Sequence, residues 1–257
     1  MTVRQVFESV RGSRVWILPN PGNCGDGLIW LGLLELCRQF DVDVVEVQHP
    51  YPVRGETLLV PAAGNLGAPY HGIPDLLRPY LDSFARVVIL PCSVDLSEPS
   101  VERFLRELPA HVTVFARERY SLAQLRFAVA DASRVHLDGD LAFEYDFAPW
   151  KAEGSGVLHA FRTDDESLGR PLPADNIDVS TFGSAGDGEL LPRLLRHVEE
   201  VHTDRAHVAI CAAMLGKTTH VYPGSYHKVR GIYEYSLAGR ENVRFHGFDE
   251  IYAEEAS

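Results

Sequence analysis

An α/β fold of two Rossmann-like lobes, each built on a parallel sheet, is predicted by three features of this sequence. Short runs rich in Val, Ile and Leu alternate with longer amphipathic segments through most of its 257 residues. The short runs are close to continuously apolar, the pattern of strands covered by helices on both faces of a parallel sheet. The alternation breaks once, in AFEYDFAPWKAEGSG at residues 142–156, where Pro149, Gly154 and Gly156 cluster, and then restarts. That break divides the chain into an N-terminal lobe, residues 1–150, and a C-terminal lobe, residues 151–257.

In the first lobe, residues 15–18, 42–47, 57–61, 86–90 and 112–116 read as strands, and residues 27–40, 73–84, 99–108 and 118–129 as helices. In the second, strands are expected at 157–161, 176–181, 199–203, 218–222 and 242–246. Helices at 188–198, 204–215 and 228–237 alternate with them. Little chain follows Phe248, so no C-terminal helix returning to the first lobe is expected.

Composition narrows the functions. With 24 Lys and Arg against 36 Asp and Glu, the formal charge is −12. That excludes general binding to nucleic acid or anionic membrane, which needs a positive field. An anionic substrate must then be met by a few placed arginines. Cys24, Cys37, Cys92 and Cys211 are scattered with no C-x-x-C pair, so no zinc knuckle or redox dithiol is indicated. The N-terminus lacks an apolar signal region, and no stretch nears the ~18 apolar residues that span a bilayer. A cytoplasmic protein without a transmembrane segment is expected.

The polar, glycine-containing segments fall after strands, where open parallel sheets bind ligands. PNPGNCGDGLIW, residues 19–30, joins the first strand to the first helix. Gly22, Gly25 and Gly27 permit a tight turn and close backbone approach to a ligand, while Asn23 and Asp26 add polar groups at the helix opening. The segment is neither G-x-G-x-x-G nor a P-loop, and Asp26 also suits a plain N-cap. PAAGNLGAPYHG, residues 61–72, places Gly64, Asn65 and Gly67 after the third strand, followed by Tyr70 and His71. In PCSVDLSEP, residues 91–99, Ser93 can hydrogen-bond a sugar or phosphate, or cap a turn.

FARERYSL, residues 115–122, sets Arg117, Glu118 and Arg119 where a strand passes into a helix. A cation there opposes the helix dipole, so Arg117 is better explained by an anion. The same holds in VHTDRAHVAICAAMLGK, residues 201–217, where Asp204 is a natural cap but Arg205 and His207 open an apolar helix. They suggest a bound phosphate or carboxylate, with His207 able to exchange a proton near neutral pH. In YPGSYHKVRGIYEY, residues 222–235, Gly224, Ser225 and Tyr226 form a loop and Lys228 begins a helix. No H-x-x-x-H or H-E-x-x-H supports a metal, and no G-x-S-x-G supports a hydrolase.

Taken together, GNCGDGLIW, AGNLG, LPCSV, FARERYSL, HTDRAHVAICAAMLGK and GSYHKVRGIYE resemble, in order, the polysaccharide pyruvyl transferase family from about residue 19 to 237. The resemblance implies a GT-B-like pair of lobes with an interlobe cleft. It also implies transfer of the carboxyvinyl unit of phosphoenolpyruvate to sugar hydroxyls, forming a pyruvate ketal. The family's anion-binding arginines carry onto Arg117 and Arg205, and its essential histidine onto His207, as the catalytic set. Substrate contacts are expected from Asn23, Gly25, Asp26, Asn65, His71, Ser93, Glu118, Asp204, Ser225, Tyr226 and Lys228.

Ala62 and Ala63 stand where the family usually has glycines, Ala68 where it commonly has aspartate, and Ala206 where it typically has leucine. Phosphoenolpyruvate acts as co-substrate, with no cofactor or metal expected. The acceptor is a saccharide or a glycolipid-linked sugar. Two other functions stay open. One is a GT-B-type glycosyltransferase using a nucleotide sugar, for which Glu234 would hold the donor ribose. The other is a non-catalytic sugar-binding homologue.

Overall fold

A computed structural model describes residues 1–247. The chain end considered above, from Phe248, lies outside the described residues. The chain divides into two compact units. The first comprises Met1–Pro21 and Ile29–Glu144, the second Gly22–Leu28 and the chain from Tyr145 onward. The glycine segment after the first strand thus clusters with the second unit, although a division near residue 150 assigns it to the first.

The first unit is a six-stranded, wholly parallel sheet in the order β2-β1-β3-β4-β5-β6. Its strands are β1 (Arg14–Ile17), β2 (Asp43–Glu46), β3 (Gly55–Val60), β4 (Phe84–Cys92), β5 (Val112–Ala116) and β6 (Val135–Leu137). Alternate side chains feed two cores. Leu58, Val60, Val87, Ile89, Val112 and Val114 meet helices α3 (Ile73–Leu77), α4 (Pro99–Arg106) and α5 (Arg119–Ala128). Ile17, Leu59, Val88, Leu90 and Phe115 meet α1 (Val3–Ser9) and α2 (Cys24–Gln39) on the other face. Burial on both faces is why these strands read as continuous apolar runs.

Three local differences from the expected elements have simple causes. Helix α1 was not expected; it is a seven-residue helix of about two turns, nucleated by a capping box in which Thr2 and Gln5 satisfy each other's backbone. Strand β6 has only three residues, too few to show a period. The expected helix at 73–84 splits into α3 and a 3₁₀ segment, Arg78–Ser83, because Pro79 has no N–H to continue the ladder.

The second unit is a four-stranded parallel sheet, order β10-β9-β8-β7. It consists of β7 (Val157–His159), β8 (Glu200–Thr203), β9 (Thr218–Val221) and β10 (Val243–Phe245). Helices α6 (Leu190–Leu195), α7 (Ala206–Leu215) and α8 (Lys228–Ile232) accompany it, the last continued by a π-turn at Tyr233–Leu237. Helix α7 is apolar almost all round and nearly every side chain is buried. It stops at Gly216, whose φ of 81° is the left-handed conformation that glycine adopts without strain.

The strand expected at 176–181 does not form. Asn176 instead clamps Phe161 through both its backbone groups, and Asp178 turns its carboxylate to Thr163, so the segment's polar side chains replace a ladder. A 3₁₀ turn, Val179–Phe182, follows. Among the described residues, no helix is long and apolar enough to cross a membrane. All four cysteines are buried and reduced, and burial pushes the Cys24 thiol up to about 11.

Candidate active site

In the first unit, every strand ends on the same edge because all are parallel. The chain order reverses between β1 and β3, the position where open α/β sheets bind ligands. There Asn65 donates from Nδ2 to Asn20 Oδ1 at 2.6 Å, tying the two loops together. Ala63 adopts a φ of 53° in this loop, and its carbonyl accepts from Ser93 N–H at 2.9 Å. A left-handed residue there explains why glycine suits this position.

Beside these loops, Arg117 is 1% exposed. Its Nε donates to Ser93 Oγ at 2.8 Å and its Nη1 to Asp140 Oδ2 at 2.7 Å. Within the chain itself Arg117 is paired with Asp140, from the segment after β6. Glu118 is fully buried and caps α5, accepting from Tyr120 and Ser121 N–H. His71 stands elsewhere, exposed on a polar groove with Asp75, Arg78, Glu98 and Arg103.

The second unit brings together residues far apart in the chain. Asn23 Oδ1 accepts from Gly25 N–H at 2.8 Å, and Asp26 Oδ2 accepts from Asn23 N–H at 3.0 Å, so both side chains shape the opening of α2. Gly25 lies against His207. A Cβ built on Gly25 would come 2.6 Å from His207 Nδ1 and 2.9 Å from His207 Cβ. Glycine is required there by the imidazole, which sits half-buried in the first turn of α7.

Just before His207, Arg205 occupies the N-cap of α7 and is 6% exposed. Its Nη2 donates to Asp178 Oδ2 at 2.6 Å and to Asp164 Oδ2 at 2.9 Å. As with Arg117, carboxylates of the chain itself answer the cation. Asp164 also pairs with Arg162, which contacts Glu166, and Glu166 takes Lys228 Nζ at 2.5 Å. Asp204 accepts from Arg162 N–H at 2.8 Å, and burial pushes its carboxyl up to about 6. It lines a small pocket with Phe161, Arg170 and Tyr222. Ser225 is exposed, and Tyr226 lies beneath the Lys228 ammonium, 5.2 Å from its ring centroid.

Lys228, Asp204 and Arg205 thus join one network, whereas Ser225 makes no contact with it that the structure records. Arg162, Asp164, Glu166 and Asp178 were not singled out from the sequence. The signal was FRTDDE at residues 161–166, an alternation of cation and acids directly after a strand. Glu234, the residue a nucleotide-sugar donor would require, pairs with Arg230 at 2.9 Å.

Chemically, this unit sets an imidazole able to exchange a proton beside a helix N-terminus and an oriented guanidinium. Comparison with known proteins bears on what it acts upon. A family model described as polysaccharide pyruvyl transferase matches residues 23–226. The chain is also similar to the crystal structure of a functionally uncharacterised protein, KP1_0663, from Klebsiella pneumoniae subsp. pneumoniae NTUH-K2044. The two are 26% identical with a TM-score of 0.78, over 94% of this chain and 95% of that one. Comparison with curated proteins finds no match.

Proposed function

Because the chain belongs to the polysaccharide pyruvyl transferase family, and so is a transferase, we propose that it uses phosphoenolpyruvate to build a pyruvate ketal on a saccharide in the cytoplasm. The observation that carries this reading is His207, held against Gly25 at the start of α7 and two residues from Arg205.

In the proposed reaction the acceptor hydroxyl oxygen bonds to C2 of phosphoenolpyruvate while imidazolium His207 gives its proton to the methylene carbon. The hydroxyl proton returns to the imidazole. The C2–phosphate oxygen bond then breaks with its electron pair on phosphate, and a second hydroxyl bonds to C2 to close the ketal, its proton passing to the departing phosphate. Phosphoenolpyruvate is consumed as co-substrate, and the scheme needs no bound cofactor.

Arg205 meets one anionic group of the donor. Asp178, whose side chain is 5% exposed, keeps the guanidinium oriented, whereas Asp164, at 26%, is the carboxylate that the donor exchanges for. Charge-assisted contacts of this kind contribute about 1.5–3 kcal/mol each. Arg117, closed off by Asp140 and Ser93, positions the loops of the first unit instead of touching the donor.

The test is release of phosphate from phosphoenolpyruvate in the presence of candidate saccharides, together with calorimetric binding of phosphoenolpyruvate. His207→Gln should retain donor binding and lower turnover roughly 10²–10⁴-fold, the scale of a general acid–base group. Wild-type turnover in His207→Gln would assign the proton to another group.

A further inference from the structure

The sheet of the second unit has two unlike faces. On β8 and β9, Val201, Thr203, Thr219 and Val221 are buried on one side. Glu200, His202 and His220 are half-buried on the other. His202 and His220 are direct partners in the parallel register, and Glu200 lies two residues before His202, hence on the same face. Adjacent strands lie about 4.8 Å apart, so the register stacks the imidazoles, with centroids 4.3 Å apart and planes 8° from parallel.

The ring nitrogens converge. Glu200 Oε1 is 2.7 Å from His202 Nε2 and 3.4 Å from His220 Nε2, and the three groups offer ligand atoms all within 4.8 Å of one another. Bond lengths of about 2.0–2.2 Å place the ligands of a tetrahedral zinc roughly 3.3–3.6 Å apart, so small side-chain rotations close a three-ligand site. The remaining ring nitrogens are already held. His202 Nδ1 is 2.9 Å from Tyr222 Oη, and His220 Nδ1 is 2.7 Å from His246 Nε2. Tyr222 and His246 are both buried and stack on each other at 4.6 Å. Outer partners of this kind set the ring orientation and tautomer in which Nε2 faces the carboxylate and the ion.

We propose that Glu200, His202 and His220 bind a divalent first-row transition ion, best matched by zinc, with Tyr222 and His246 as outer partners. Two imidazoles and one carboxylate are a donor set that zinc accepts, with one position left for water. The ion joins β8 to β9, the strands that lead into Arg205–His207 and into the Gly224–Tyr226 loop. Its role is to brace the sheet beneath those loops, apart from the transfer chemistry proposed above.

The probe is Zn²⁺ alone, titrated calorimetrically into chelator-treated, tag-free full-length protein, with thermal unfolding as a second readout. One ion per chain and a raised unfolding midpoint are expected. Glu200→Gln and His220→Gln should each weaken binding by more than the roughly 10–100-fold that loss of an outer partner costs. Tyr222→Phe should weaken it within that range, and His159→Gln, the neighbouring histidine on β7, should leave it unchanged. Circular dichroism checks that each variant folds. If His220→Gln does not fold, Glu200→Gln, a half-exposed change, decides alone. Absence of Zn²⁺ uptake, or uptake that survives Glu200→Gln, would overturn the site and leave the Glu200–imidazole contacts as ordinary hydrogen bonds.

Discussion

Gly25 and His207 are 182 positions apart in numbering, yet the missing side chain of one defines the place of the other. Glycine is usually explained by backbone freedom, but here the requirement is space: a methyl at Gly25 would overlap Nδ1 and Cβ of His207 and also Asn23 Oδ1. The Nδ1 contact can be relieved only by a change of rotamer, and the Cβ contact, fixed by the backbone, by none, so the start of α7 must shift as well. Gly25→Ala should therefore displace the imidazole while leaving the sheets intact. Misplacing a reacting group by about 1 Å costs on the order of 10²-fold in rate. The expected result is a turnover loss of that order with phosphoenolpyruvate binding retained and the unfolding midpoint little changed. Equal loss of activity and stability would mean that Gly25 matters to folding rather than to His207. Ala63 shows the opposite case. Its φ of 53° favours glycine, but the residue is 1% exposed, and its buried methyl contributes about 0.8 kcal/mol that glycine would lose. That offsets much of the roughly 1–2 kcal/mol cost of a left-handed L-residue, so alanine is tolerated.

The ends of three consecutive elements, β4, β5 and the segment after β6, are locked by Ser93, Arg117 and Asp140. Arg117 and Asp140 are each 1% exposed at the side chain, so removing one charge strands the other in the interior. Arg117→Met should cost about 3–5 kcal/mol of stability, and the double variant Arg117→Met with Asp140→Leu should recover most of it. Urea unfolding of the three proteins reads this directly; no recovery in the double variant would show that the pair is not the source of the loss. This lock also marks what the sequence made legible. The parallel strands were readable because both their faces are buried, and so were the long helices α2, α5 and α7. Short elements were not: β6 and α1 span less than the window over which a period shows. The motif residues were readable as chemistry, but their partners were not. Helix-dipole reasoning identified Arg117 and Arg205 as cations awaiting an anion, and each is answered by carboxylates from distant segments, which no local pattern reveals. The histidine row escaped for a related reason. Helical metal motifs repeat within one segment, whereas Glu200, His202 and His220 meet only through the register of β8 on β9.

At the scale of the whole molecule, stability against acid is a contest between a diffuse effect and a local one. The chain carries a formal charge of −12, so mild acidification relieves self-repulsion and favours the folded state. Opposing this are the few carboxylates that folding places among cations. Burial pushes Glu166 upward, but Lys228 and Arg162 outweigh it and hold the carboxyl below its ordinary value. Asp164 behaves alike: burial opposes, while Arg162 and Arg205 prevail. A carboxyl lowered on folding contributes fully above its unfolded pKa, near 4, and the contribution is lost as pH falls through the lower folded value. Asp204, which burial raises to about 6, runs the other way and regains its proton in the folded state first, so stability should rise modestly between pH 7 and about 5 and fall steeply below about 4. Glu166→Gln isolates the local term. At pH 7 it leaves Arg162 and Lys228 facing a neutral amide, at a cost of about 3–5 kcal/mol. In acid the wild-type carboxyl becomes neutral as well, so the two proteins should converge as pH drops below the ordinary carboxylate range. Urea unfolding of both across that range measures the gap; a difference that stays constant into acid would show that the charge on Glu166 contributes nothing, and that its loss acts through shape alone.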